Sequence, residues 1–358
     1  MTKKRIDWID VARCIAILSV VIGHTMAGLN RSYLYNLIYL YDLPVFFFLS
    51  GYLYHQKGYK KLLMNDIKFL LMPYLAVNAI KLVILAMLQH HIGTGIFTIN
   101  LHSFQSLMIA TLYGDGMNYR SFPAVNAIWF LMAMFVANQL FNLVMRINIG
   151  ERTLAFQGFI SLILTGLGFG IAHFVSLPLS INSALIAQFL LYMGYIFQTK
   201  NLLLEISKWQ YVFLGVAALL VASFGTFYMD AATAPSELMA IAGSLAASLC
   251  VVKISMMITN YLNTHGWKKF ERLMLFIGAQ SLTVLCFHLL DLDCLRFYTD
   301  IIQGLSGKVP RGIPVLVGMV YRIIWAVGMT WGVRFIPVLR SFFMPRSFPM
   351  FKKQLKVS

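Results

Sequence analysis

Charge is scarce in this chain. Only 12% of its 358 residues are charged, against about 25% in a soluble domain. Apolar residues make up 59%, which excludes a soluble globular domain and also a disordered chain, since disorder requires low hydrophobicity. Acidic residues are the rarest charged class, 13 against 29 Lys and Arg, giving a net charge of +16. No basic stripe with interleaved aromatics lies outside the apolar segments, so the positive balance does not point to nucleic acid. The four cysteines, Cys14, Cys250, Cys286 and Cys294, are scattered without a CxxC pair, which argues against a disulfide framework and against a zinc site. The sequence also lacks an internal repeat, a low-complexity tract and a long polar linker.

What is present is a series of long apolar runs. They predict an all-α, polytopic integral membrane protein of about ten helices. The runs fall at 9–28, 34–54, 67–89, 127–145, 157–176, 181–198, 210–229, 237–260, 270–290 and 313–337. The sixth is short enough to be tilted or partly re-entrant. Residues 1–345 read as one membrane domain and 346–358 as a basic tail. Lys3-Lys4-Arg5 before an apolar run is similar to a signal peptide, but Arg13 and His24 interrupt that run and no small-residue cleavage site follows. The run is expected to stay as the first span of a multi-pass cell-membrane protein.

Orientation follows from the basic residues. With the N-terminus inside, eighteen lie in cytoplasmic segments: Lys3, Lys4, Arg5, Lys57, Lys60, Lys61, Arg146, Arg152, Lys200, Lys208, Lys268, Lys269, Arg272, Arg340, Arg346, Lys352, Lys353 and Lys356. Five lie opposite: Arg31, Arg120, Arg296, Lys308 and Arg311. This bias predicts both termini in the cytoplasm.

Ionisable residues inside spans are costly, about 2.5–3.5 kcal/mol for Arg on insertion scales. The first span nevertheless carries Asp10, Arg13 and His24. Eleven residues at about 100° each turn a helix about 20° past three full turns, which places Arg13 and His24 on one face, about 16 Å apart. Asp10 lies one turn before Arg13 and is spaced to pair with it. Two accounts stay open. Arg13 can snorkel to the headgroups beside Asp10 while His24 sits at the interface, or the face is a working one, with an imidazole able to move protons near neutral pH.

The stretch from Arg5 to Thr25, with Arg13 and His24 separated by ten residues, resembles the opening of the membrane-bound acyltransferase family 3. Leu43-Pro44-Val45-Phe46-Phe47-Phe48-Leu49-Ser50-Gly51-Tyr52 resembles its second-span motif, and Leu71-Met72-Pro73-Tyr74, Ile128-Trp129-Phe130-Leu131 and Ser281-Leu282 with His288 also fit. The likeness is greatest to the fucose-4-O-acetylase-like branch. Two positions depart from the family's pattern: Asp42 stands where His is common, and Lys60, Lys61 and Lys68 stand in place of paired arginines.

The resemblance implies an O-acyltransferase that moves an acetyl or other short acyl group from acyl-CoA, with acetyl-CoA as donor, to a sugar hydroxyl of an envelope or exopolysaccharide glycan. It implies His24 as base or acyl carrier with Arg13 and Asp10 as catalytic partners. Arg13, Lys60, Lys61 and Lys68 become donor-binding candidates, and Asp42, Trp129 and His288 acceptor-binding candidates. The expected partners are the lipid bilayer, acyl-CoA and the glycan acceptor. A homo-oligomer, or assembly with polysaccharide-synthesis machinery, stays open. Several simpler readings compete. Trp129 can be an interfacial belt residue, Ser50-Gly51 a close-packing site and Pro44 a tolerated kink. His288, Asp291 and Asp293 have poor spacing for one metal ion, so no metal is expected. The long segment 90–126, with His90, His91, His102, Asp115, Arg120, Tyr113, Tyr119 and Phe122, suits either sugar recognition or a plain connection. The rival function is a transporter or flippase of an envelope glycan precursor, against which the missing repeat counts.

The topology has a direct test. A cysteine placed at Asn118 should react with an impermeant thiol reagent in intact cells, and one at Lys353 should not; labelling at Lys353 would overturn the orientation.

Overall fold

The computed structural model describes residues 6–27, 32–99, 103–310, 312–345 and 347–349. Lys3, Lys4, Arg5, Arg31, His102, Arg311, Arg346, Lys352, Lys353 and Lys356, and with them most of the basic tail, lie outside the described residues. The described chain is helical, with isolated β-bridges in place of strands. In hydrocarbon a backbone satisfies its own hydrogen bonds only as a helix or a closed barrel, and these apolar runs take the helical solution.

The helices are α1 (Asp7–Met26), α2 (Tyr33–Tyr41), α3 (Pro44–Tyr52), α4 (Tyr59–Asp66), α5 (Met72–Gln89), α6 (Phe104–Tyr113), α7 (Trp129–Val144), α8 (Thr153–Ala172), α9 (Ile181–Thr199), α10 (Lys208–Phe224), α11 (Glu237–His265), α12 (Lys268–Ala279), α13 (Ser281–Cys294), α14 (Phe297–Leu305), α15 (Gly312–Gly332) and α16 (Pro337–Phe343). Among the described residues, eight helical segments are long and apolar enough to cross a membrane. The bent pair α12–α13 makes a ninth. The remaining expected run forms α10, whose 17 residues stop at Gly225. Each of the ten apolar runs therefore coincides with a helical segment, and the protein is a multi-pass membrane protein.

Local chemistry explains where the runs break. The second run divides at Asp42-Leu43: α2 ends there, and α3 begins with Pro44 in its first turn, where the missing N–H costs nothing. In the third run a π-helical turn spans Ile67–Leu71 just before Pro73. The proline has no N–H to give the carbonyl of Phe69 and its ring crowds that carbonyl, so the ladder loosens on that side. The ninth run bends by 74° between α12 and α13. The segment 90–126 contains α6, and α6 ends on Gly114 in the left-handed conformation at φ 67°, a usual glycine role.

Helix α1 is central: it packs against α2, α3, α11, α12, α13 and α15. Val11, Cys14, Ile17 and Val20 face the main core. Helices α8 and α15 are the most open to lipid, with about a third or less of their spans buried. Close crossings use glycine. A Cβ on Gly51 of α3 would lie 1.9 Å from the Leu191 carbonyl oxygen of α9, and one on Gly194 of α9 would lie 2.0 Å from that of Phe48. Gly278 of α12 meets the Asp10 carbonyl in the same way. Small residues let spans approach to backbone contact, where dispersion replaces the hydrophobic drive that lipid cannot supply.

Gly51→Ala should force α3 and α9 apart and lower stability by about 1–3 kcal/mol. Gly58→Ala, at an exposed site with nothing within 4 Å, should change it by less than about 0.5 kcal/mol. Thermal unfolding of the two purified variants in detergent checks the contrast; equal melting temperatures would remove the crossing as a constraint.

Candidate active site

The sequence-predicted face of α1 lines two cavities at two depths. Arg13 and Ile17 line one of about 330 Å³. Val20 and His24 line the other, about 350 Å³. The steps of four, three and four residues are the spacing of one helix face. Phe130 of α7 and Leu285 of α13 line both cavities. These two side chains form the apolar partition between them.

In the His24 chamber the imidazole meets a second one. His24 Nδ1 lies 3.1 Å from His288 Nε2, with the rings stacked at 5.3 Å and tilted by 20°. His288 is fully buried on α13, and its Nδ1 has no hydrogen-bond partner among the described residues. When His24 Nδ1 donates to His288, the lone pair of His24 Nε2 is left to accept a proton. The chamber is further lined by Tyr39, Asp42, Asn126, Trp129, Asp230 and Asp293. Trp129 is buried with 4% exposure, edge-on to Phe130, and lies against Gly116, where a Cβ would come within 2.7 Å of its ring. This location sets it apart from an interfacial belt.

Two buried ion pairs frame the imidazoles. Lys81 Nζ donates to Asp293 Oδ2 at 2.5 Å, and Asn126 Nδ2 donates to Oδ1 at 3.2 Å. Arg322 of α15 donates through Nε to Asp291 Oδ2 at 3.2 Å, and the Tyr321 hydroxyl donates to Oδ1 at 2.6 Å. The Arg322 guanidinium lies 3.8 Å over the Tyr298 ring. Tyr298 donates to the Thr25 carbonyl at 3.1 Å, next to His24. Asp291 is one turn from His288 on α13. The Arg322 group thus joins the chain beside His24 to the helix that carries His288. His288, Asp291 and Asp293, adjacent in sequence, are engaged by three different sets of partners.

Two loops close the chamber. In one, the Ser180 hydroxyl donates to the Gly114 carbonyl at 2.8 Å, the Asp115 carbonyl accepts from Val125 N at 2.8 Å, and Tyr113 stacks on Phe122 at 4.3 Å. Ser176 donates to the Asp115 carboxylate, and burial raises that carboxyl above its ordinary range. In the other, the Ser183 hydroxyl donates to the Met229 carbonyl at 2.7 Å beside Asp230. Burial raises the Asp230 carboxyl as well.

The second cavity is lined by Arg13, Ser50, His55, Lys57, Asn65, Asp66, Asn138 and Gln280, among others. Asp10 stands 3.6 Å from Arg13 and is itself buried. Lys60, Lys61 and Lys68 are exposed and line neither cavity. The structure therefore brings His24, His288, Asp42 and Trp129 together and places Arg13 with Asp10 at the second cavity. The three lysines lie apart from both. Sequence reasoning missed Tyr39, Asn126, Asp230 and the roles of Lys81 and Arg322. In-span charge was the available signal for the last two; nothing marked Asp230, a loop carboxylate.

A bundle with two polar cavities along one helix, an imidazole pair in one of them and paired charges holding it in hydrocarbon is the frame of a polytopic membrane protein with a candidate active site. Residues 6–331 match a family model described as an acyltransferase domain, and the chain belongs to the membrane acyltransferase family 3. No curated protein matches the chain, and no solved structure does.

Removing one partner of a buried pair leaves an uncompensated charge, at a cost of about 3–5 kcal/mol. Asp291→Asn should destabilise by that order, and Asp291→Leu combined with Arg322→Met should recover most of it. Melting in detergent micelles measures both; a harmless Asp291→Asn would deny the pair a structural role.

Proposed function

We propose that this membrane acyltransferase moves an acetyl, or another short acyl, group from acyl-CoA to a sugar hydroxyl of an envelope or exopolysaccharide glycan. The observation that carries this reading is the pair of cavities on one face of α1, Arg13 in one and His24 in the other, with only Phe130 and Leu285 shared between them. A two-substrate transfer needs such an arrangement when the donor and the acceptor approach from different depths.

With the N-terminus inside, the Arg13 cavity faces the cytoplasm, where acyl-CoA is available. Arg13 presents a planar fork to a phosphate or a pantetheine carbonyl. Lys57 stands at the same cavity, and the exposed Lys60, Lys61 and Lys68 raise the local concentration of a polyanionic donor. Ser50, Asn65, Asn138 and Gln280 offer hydrogen bonds to the amides of the pantetheine arm. Asp10 holds Arg13 in place.

His24 acts from its own chamber, on a thioester that reaches past Phe130 and Leu285. Its Nε2 takes the proton of the sugar hydroxyl as the oxygen attacks the thioester carbonyl. The tetrahedral adduct collapses with cleavage of the C–S bond, and the imidazolium returns the proton to the departing thiolate. His288 fixes the ring and its tautomer through the Nδ1 bond. In the variant route His24 first takes the acyl group and then gives it to the sugar. Trp129 and Asp42 contact the acceptor.

The test is release of free CoA thiol by purified protein supplied with acetyl-CoA and envelope glycans. His24→Ala and His24→Gln should both lose activity by about 10²–10⁴-fold while remaining inserted in the membrane. A transporter or flippase would release no thiol, and near-normal turnover by His24→Gln would move the base to another residue.

A further inference from the structure

The charges around the His24 chamber do not balance. Three carboxylates line it, Asp42, Asp230 and Asp293, with His24 as the only basic side chain among the lining residues. Lys81 neutralises Asp293 from behind. No described Lys or Arg lies within 4 Å of Asp42 or Asp230. Asp42 is only 5% exposed, and its Oδ1 accepts from Leu43 N at 2.7 Å. Its other oxygen has no hydrogen-bond partner among the described residues, although the side chain forms part of the chamber wall. The Asp230 Oδ1 accepts from Ala231 N at 2.9 Å, and its Cβ packs against Gly116 beside Trp129.

A carboxylate oxygen that faces a chamber without a protein partner takes its donor from a ligand or from water. Sugar hydroxyls are such donors, and hydrogen bonds to an ionised acceptor are the stronger kind. An anionic group has no donor to offer and enters a chamber whose burial already disfavours negative charge, as the raised Asp230 carboxyl indicates. One like-charge contact at about 5 Å, in a medium of effective dielectric about 20, weakens association by roughly two decades. We propose that Asp42 and Asp230 select the acceptor by charge: the sugar admitted to the chamber carries no anionic group, and its hydroxyls donate to these two carboxylates. The selected class is neutral or aminated sugars, and uronic, sialic or phosphorylated sugars are rejected. This rests on the acyl-transfer reading above.

The test uses full-length protein in membranes, radiolabelled acetyl-CoA and total envelope glycans of the host. After reaction the glycans are freed from any lipid carrier and separated on an anion exchanger, with His24→Ala membranes as background. His24-dependent label should pass through unretained, with less than a tenth of it in the retained acidic fraction. Asp42→Asn with Asp230→Asn should raise KM for the unretained acceptor at least fivefold and leave KM for acetyl-CoA unchanged. If the double variant fails to fold, Asp230→Asn alone, in a loop outside the spans, serves the same comparison. Label found mainly in the acidic fraction, or an unchanged acceptor KM, would overturn the charge selection. The absence of His24-dependent label from every fraction, together with no thiol release, would remove the acyl-transfer reading itself and this proposal with it.

Discussion

Hydrocarbon offers no partner to a charge or a hydrogen-bonding group, and every other feature of this bundle follows from how its polar residues meet that condition. Helix α1 cannot expose Asp10, Arg13 and His24 to lipid, so it sits at the centre, surrounded by six other helices. Lys81 finds Asp293 and Arg322 finds Asp291 for the same reason. Some of these groups satisfy one another, and others turn towards a cavity. The distinction separates Asp291, saturated by Tyr321 and Arg322, from Asp42, which shares only one oxygen with the backbone.

Close backbone packing is the second device. Gly51 and Gly194 interlock α3 with α9, and Gly278 seats α12 on α1. Such contacts set helix positions to within a fraction of an ångström, a tolerance that the 3.1 Å His24–His288 contact requires. The placement of the polar helices thus depends on residues with no chemistry of their own. The Arg322 group adds a polar brace between the end of α1 and the C-terminal part of α13.

The spans were legible because a 20-residue apolar run has one stable answer in a bilayer. The shared face of Arg13 and His24 was legible from helical geometry, and the cavities confirm it as Arg13, Ile17, Val20 and His24. Local breaks were less so. Pro44 marked the second run, but the sequence could not show that Asp42, at the break, would point its carboxylate into a chamber. The bend after Ala279 has no proline at all. Long-range pairings were out of reach: His24 and His288 are 264 residues apart, and Lys81 and Asp293 are 212 apart. Asp230 could not be singled out, because an aspartate in a loop is ordinary until the fold brings it beside Trp129.

The central place of α1 has a consequence for biogenesis. This helix is synthesised long before α11, α12, α13 and α15, which cover most of it. At about 5–20 residues per second, its polar face waits roughly 10–50 s for the helix that bears His288. During that interval Arg13 and His24 have only α2 and α3, or transient water and headgroups, to shelter them. Insertion therefore leaves the polar face of α1 incompletely buried until the later helices arrive.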